Sequence, residues 1–283
     1  MKGLNDGYLL RNGVSIPCVG FGTFRTPDGE ICVEAVKEAI RCDYRHIDTA
    51  SVYGNEVSVG KAVRDSGVDR GELFITSKLW NDDQGYDAAL RAFEASLKRL
   101  GTDYLDLYLI HWPVPAAHRE DWQRSNLDSW RALERLYKEG RIRAIGVSNF
   151  LRHHLEPLMS QAEIPPMVNQ VELHPQYPQE ETVAFCRENG IVVESWGPLI
   201  QGKAFELPLL RDIAGKYGRT IAQICIRWSL QKGILPLPKS IHSERIASNA
   251  QVFDFVIASE DMDRMEELSA LGRVGNHPDS ISF

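Results

Sequence analysis

In YDAALRAFEASLKRL (86–100) the apolar side chains Tyr86, Leu90, Phe93, Leu97 and Leu100 recur at spacings of four and three. That is one stripe of an α-helix, and Gly101 ends it. The period then changes: YLDLYLIHW (104–112) is apolar almost throughout, the texture of a strand covered on both faces. The same alternation predicts strands at 17–22, 44–48, 73–78, 104–111, 143–148, 167–170, 191–196 and 234–238. Helices are expected between them at 29–42, 55–66, 86–100, 127–140, 151–161, 179–189 and 207–232. Gly218 breaks the last pattern and Thr220 offers a new N-cap, so it reads as two helices. Ahead of the first strand, YLLRNGVSIP (8–17) sets Asn12-Gly13 between two short semi-apolar runs, which predicts a β-hairpin with a type I′ turn.

Eight strands alternating with helices predict an α/β fold, a (β/α)8 TIM barrel with an N-terminal β-hairpin and a short extra helix after strand eight. A doubly wound sheet is the rival. It usually carries a glycine-rich phosphate loop, and GFGTFR (20–25) has only the first two glycines before Arg25. No Pro/Gly/Ser linker, low-complexity tract or charge block divides the chain, so residues 1–283 are expected to form a single barrel domain.

With 43% hydrophobic and 25% charged residues, a chain of this length can build its core without disulfides or metal. Its five cysteines are an odd number without a CxxC pair, which fits buried free thiols in a reducing cytoplasm. The net charge of −7 and the lack of a basic run argue against a nucleic-acid partner. No run approaches the roughly 18 apolar residues of a membrane span, and the N-terminal MKGLNDGYLL has no signal-peptide core. A cytoplasmic protein with no membrane partner is expected. No strand end or helix stripe demands a second subunit, so a monomer is the simplest expectation.

Barrel chemistry sits at the C-terminal ends of the strands. Those ends carry Gly22-Thr23-Phe24, Asp48 with Tyr53, Lys78, His111, Ser148-Asn149, Gln170, Trp196 and Lys239-Ser240. Each has an ordinary structural reading: Asp48 as a helix cap, Tyr53 as a half-buried aromatic, Lys78 reaching to the surface, His111 as a core histidine, and Ser148-Asn149 as an N-cap. Four titratable residues of complementary type on adjacent strand ends make coincidence the poorer account.

A free phenol has a pKa near 10 and is a weak acid at neutral pH. A lysine ammonium about 4 Å away, at an effective dielectric of about 20, favours the phenolate by about 4 kcal/mol. Asp48 would pair with Lys78 and keep it charged, and His111 could donate a hydrogen bond to a carbonyl oxygen beside the phenol. Such a set polarises a C=O and protonates the resulting alkoxide. It holds no nucleophile–base pair and no metal-ligand cluster, so it needs a hydride from a nicotinamide or flavin. Ser148, Asn149 and Gln170 can hydrogen-bond a carboxamide, and the Trp196 ring can stack on a pyridine. Lys239, Ser240 and Arg245 lie where barrels often bind phosphate, which points to NADP(H).

The motifs GFGTF, HIDTASVYGNE, ITSKLW, DYLDLYLIHWP, IRAIGVSNF, VNQVELHP, ESWGPL and LPKS, in order from about residue 14 to 249, resemble the aldo-keto reductase superfamily. WGPL followed by QGK, and GRVGNHPD near the end, resemble its bacterial 2,5-diketo-D-gluconate and glyoxal/methylglyoxal reductases. The resemblance implies a tetrad of Asp48, Tyr53, Lys78 and His111, with Tyr53 as the general acid. It implies Gly22, Thr23, Ser148, Asn149, Gln170 and Trp196 around the nicotinamide, and Gly197, Pro198 and Leu199 over the pyrophosphate. Lys239, Ser240 and Arg245 would bind the 2′-phosphate and Asn249 the adenine. Phe24, Trp80, Trp112 and the C-terminal tail would line the pocket of a small carbonyl substrate. Three positions depart from the pattern: Ser248 where Glu is common, Ile200 where Gly is common, which would stiffen the covering loop, and His242 beside the phosphate site. His153 and His154 lie in a helix with no partner suggesting metal, and read as structural. No metal is expected.

The expected activity is NADPH-dependent reduction of aldehydes and activated ketones. Two rivals remain. Lys78 could form a Schiff base as in aldolases, although Asp48 would hold it charged. Alternatively the chain could be a non-catalytic NADPH-binding regulatory module, which would not need a proton donor.

Overall fold

The computed structural model describes residues 1–4 and 6–283. β1 (Gly7–Leu9) and β2 (Ser15–Pro17) form an antiparallel hairpin. Eight parallel strands follow: β3 (Gly20–Gly22), β4 (His46–Asp48), β5 (Phe74–Leu79), β6 (Leu105–Ile110), β7 (Ile142–Ser148), β8 (Val168–Glu172), β9 (Val192–Trp196) and β10 (Leu235–Pro236). They lie side by side in chain order, and the Gly22 amide donates to the Pro238 carbonyl at 3.0 Å, bringing the last strand round to the first. Around them run α1 (Glu30–Arg41), α2 (Glu56–Asp65), α3 (Tyr86–Leu100), α4 (Trp122–Lys138), α5 (Arg152–Met159), α6 (Glu180–Glu188), α7 (Pro208–Tyr217) and α8 (Ile221–Gln231). This is the expected TIM barrel.

Thr220 caps α8 by accepting the Gln223 amide, while the Gln223 side chain accepts the Thr220 amide, which splits the 207–232 segment as expected. The extra helix after strand eight is α9 (Ser243–Ala250); a further one, α10 (Ser259–Glu266), was not anticipated. The hairpin is present but its turn is not type I′. Gly13 has φ +85° and Asn12 is not in the left-handed region, so Leu10 pairs Val14 across a three-residue turn. α4 starts at Trp122 rather than 127, which shortens the loop after strand four. β10 is only two residues long because Pro236 and Pro238 have no N–H to give a ladder.

The register places the functional strand ends. Asp48 pairs with Thr76 across β4–β5, and Ser148, Gln170 and Glu194 lie in one row across β7, β8 and β9. Gly146 lets β7 and β8 meet: a Cβ there would stand 2.5 Å from the Val168 carbonyl oxygen and 2.8 Å from Leu109. Gly146→Ala should therefore push the strands apart beneath Ser148 and Gln170. A loss of about 1–3 kcal/mol is expected in the denaturant midpoint of unfolding.

Candidate active site

The Lys78 ammonium, at the end of β5, is fully buried. It donates to both oxygens of Asp48 at 2.8 Å, to the Thr49 carbonyl at 2.9 Å and to the Tyr53 hydroxyl at 3.3 Å. Thr23 holds the Asp48 end of β4 from below, its hydroxyl donating to the Asp48 carbonyl at 2.9 Å. Tyr53 sits on the one-turn helix Ser51–Tyr53, with the His111 ring edge-on at 5.8 Å and Phe24 tilted against it at 5.1 Å. Asp48, Tyr53, Lys78 and His111 thus meet as one cluster.

Burial alone would lower the Lys78 pKa, but Asp48 and Tyr53 outweigh it and hold the ammonium charged. Burial, reinforced by Lys78, drops His111 well below the usual histidine range, so its ring is neutral. Tyr53 departs from expectation. Burial raises its pKa, Lys78 lowers it, and Asp48 raises it again, with a net upward result. The lysine opposes desolvation of the phenol without making it acidic, because burial and Asp48 together outweigh it.

All of these residues but Lys78 and Thr23 face a cavity of about 1200 Å3, and Thr23 is fully buried behind its wall. Its hydroxyl fixes the Asp48 backbone. Phe24, Trp80 and Trp112 line one end of the cavity with Phe283, whose ring stacks on Trp80 at 5.5 Å and meets Trp112 edge-on at 5.7 Å. Gly22, Ser148, Asn149, Gln170, Trp196, Gly197 and Leu199 form its middle, and Lys239, Ser240, Arg245 and Asn249 its far end.

Ser148 and Asn149 do not cap α5: its N-cap is Leu151, and the Leu151 amide donates to His154 Nδ1 at 3.0 Å. Asn149 takes up a φ of +65°, a conformation asparagine tolerates. Its amide donates to the His111 carbonyl at 2.9 Å, and its oxygen accepts the Trp196 indole N–H at 2.8 Å. Asn149 thereby sets both the end of β6 and the plane of the Trp196 ring. Both ends of its side-chain amide are engaged by the protein, at the wall of the cavity.

The far end fits an anion. Lys239 and Arg245 both reach it, and Arg25 joins them on the wall, a cation the sequence reading passed over. Burial and then Arg25 lower the Lys239 pKa, since neighbouring cations oppose one another's charge. His242 and Ser248 also line this end. Ile200 is fully buried with φ +57°, and Gln201 and Gly202 follow at +53° and +99°. A β-branched residue in the left-handed region is strained, so the covering loop does carry a constraint at Ile200.

Two acids were missed. Glu172 accepts the Val274 and Gly275 amides at 2.7 and 2.9 Å and pins the start of the tail, whose Gly275 leaves no room for a Cβ against Trp196 (2.4 Å). Glu194 is fully buried against Gln170. Inward alternation from Trp196 in VVESW was the available signal for it. His153 and His154 do have a partner: Asp279 Oδ1 lies 2.9 and 2.7 Å from their Nε2 atoms. Because His154 Nδ1 accepts a backbone N–H, its Nε2 carries the ring proton and has no lone pair for a metal. The trio ties the tail to α5.

The sequence pattern of the aldo/keto reductase family matches residues 18–270. Glyoxal reductase of Bacillus subtilis (strain 168) is 51% identical over 280 residues, covering 99% of each chain. Morphine 6-dehydrogenase of Pseudomonas putida is 43% identical over 299 residues, covering 100% of this chain and 99% of that one. A Bombyx mori aldo-keto reductase solved in complex with NADP superposes with a TM-score of 0.88 at 35% identity, covering 99% of this chain and 97% of that one.

Two stability outcomes follow from the buried charges. Lys78→Met should leave Asp48 without its cation and lower unfolding free energy by about 3–5 kcal/mol, and Lys78→Met with Asp48→Leu should recover much of it. Glu194 is raised from 4.5 to about 8, first by burial and then by Asp48. The folded chain therefore binds a proton that the unfolded chain has released between these values, so this group's contribution falls as pH rises through that window. Glu194→Gln should remove this slope, with a gain in Tm over wild type that grows from about pH 5 to about pH 8 in thermal melts.

Proposed function

This chain belongs to the aldo/keto reductase family and is an NADP-dependent oxidoreductase, and we propose that it reduces small aldehydes and activated ketones, dicarbonyls among them, with Tyr53 as proton donor. The observation that carries this reading is the Tyr53 hydroxyl at 3.3 Å from a fully buried, Asp48-paired ammonium, facing the cavity beside a neutral His111. NADPH supplies the hydride when bound. The residues present suit it: Trp196 for the ring face, Gln170 for the carboxamide, Ser148 and Asn149 behind them, Gly197 and Leu199 over the pyrophosphate, Lys239, Ser240 and Arg245 for the 2′-phosphate, and Asn249 for the adenine.

The chain's own part is proton delivery and orientation. A neutral His111 donates one hydrogen bond to the carbonyl oxygen, and Tyr53 gives that oxygen its proton as negative charge grows there. Lys78 lowers the energy of the phenolate left behind, and Asp48 keeps Lys78 in place. Phe24, Trp80, Trp112 and Phe283 exclude water and leave an aromatic slot for the substrate's body. The similarity to a glyoxal reductase supports dicarbonyls as substrates. Asp48 argues against the Schiff-base reading, since it holds Lys78 protonated.

Tyr53→Phe should lower turnover of NADPH with glyoxal-type and aromatic aldehydes by about 100-fold or more, with NADPH affinity unchanged by tryptophan fluorescence quenching. Intact turnover in the variant would remove Tyr53 from the role. Tight NADPH binding without turnover on any carbonyl would favour a regulatory binding module. Borohydride trapping of a carbonyl on Lys78 would revive the lyase.

A further inference from the structure

Beneath the tetrad the barrel interior is polar where such interiors are usually filled by branched apolar side chains. His46 from β4, Thr76 from β5, Gln170 from β8 and Glu194 from β9 are all buried there. Gln170 Nε2 lies 2.8 Å from Asp48 Oδ2 and 2.8 Å from Glu194 Oε2. An amide nitrogen has two hydrogens, and both are spent on these two acids. Turned over, the amide would set its oxygen against two carboxyl groups. The nitrogen therefore points inward and the Gln170 oxygen is left for the cavity that Gln170 lines.

We propose that Glu194 is a positioning residue of this site: it shares the Gln170 amide with Asp48, so that the Gln170 oxygen is aimed at the carboxamide N–H2 of the cofactor, and it couples its own proton to the Lys78–Asp48 pair. This rests on the reading that Gln170 meets that carboxamide. The charged and titratable groups facing Glu194 are His46 and Asp48 from β4 and Lys78 from β5. His46 Nε2 is held by the Thr76 hydroxyl at 2.9 Å and lies 3.8 Å from Glu194 Oε1. Burial, and then Lys78, lower the His46 pKa to about 3, so the ring is uncharged. Lys78 and Asp48 cancel one another. The interior is thus neutral as long as Glu194 keeps its proton, which burial and then Asp48 secure up to about pH 8. Its ionisation puts an uncompensated negative charge beside Asp48 and opposes loss of the Tyr53 proton.

The test compares wild type, Glu194→Gln, which keeps an acceptor under Gln170 but cannot ionise, and Glu194→Met, which removes the acceptor. Binding of NADP+ and of its 3-acetylpyridine analogue, which lacks the carboxamide N–H2, is read by tryptophan fluorescence. Wild type and Glu194→Gln should prefer NADP+ on the order of tenfold, and Glu194→Met should lose most of that preference. In steady-state reduction, wild-type kcat should fall above about pH 8 with carbonyl KM little changed, and Glu194→Gln should lack this limb. Should Glu194→Met not fold, the two pH profiles decide. Full preference in Glu194→Met, or the same alkaline limb in Glu194→Gln, overturns the proposal alone. No preference in wild type overturns the Gln170 reading and this proposal with it.

Discussion

The contact between Lys78 and Asp48 organises the rest of the molecule. A fully buried ammonium is tolerated only when its donors are satisfied, and here Asp48 gives two oxygens, the Thr49 carbonyl a third and Tyr53 a fourth. A buried pair of this kind adds little net stability, because desolvation of both ions consumes most of the attraction. What it secures is placement. Asp48 must sit at the end of β4, which Thr23 arranges from β3, and Lys78 at the end of β5, which the β4–β5 register arranges. The Tyr53 hydroxyl lies beside a charge so fixed, at 3.3 Å.

The same arrangement sets the electrostatics of two neighbouring side chains. Without Lys78 the buried phenol would be a still poorer acid; with it, desolvation is countered in part. His111 needs no charge to act, because a neutral imidazole still donates one hydrogen bond, and the same lysine helps keep it neutral. One cation therefore sets the state of two neighbours in opposite senses, easing ionisation of Tyr53 and resisting protonation of His111.

The barrel was legible because strands buried on both faces and helices with one apolar stripe have different periods, and YLDLYLIHW beside YDAALRAFEASLKRL shows both. The strand ends were legible because a polar residue closing an apolar strand stands out, as Lys78 and His111 do. What failed to show was pairing. Asn149 looked like a cap but adopts a left-handed backbone to hold the Trp196 indole and the His111 carbonyl. Thr23 gave no sign at its strand end of the bond its hydroxyl makes to the Asp48 carbonyl. Glu194 meets Gln170 24 residues away, and Glu172 meets His174 two residues on but takes the Val274 and Gly275 amides from 102 and 103 residues away. The tail's link to α5 joins His153 to Asp279 across 126 residues.

The tail links the aromatic wall of the cavity to the Trp196 face. Glu172 fixes Val274 and Gly275 so that Gly275 lies on the edge of Trp196. Asp279 is held by His153 and His154, and the Ile281 carbonyl by Arg119 at 2.5 Å. The last anchor is the Phe283 carbonyl, which accepts from Asn81 and from the Ala116 amide and so seats the Phe283 ring on Trp80. A displacement of Trp196 would be felt at Gly275 directly, since no side-chain volume separates them. The aromatic wall of the cavity and the Trp196 ring are thus joined through one glycine and one carboxylate.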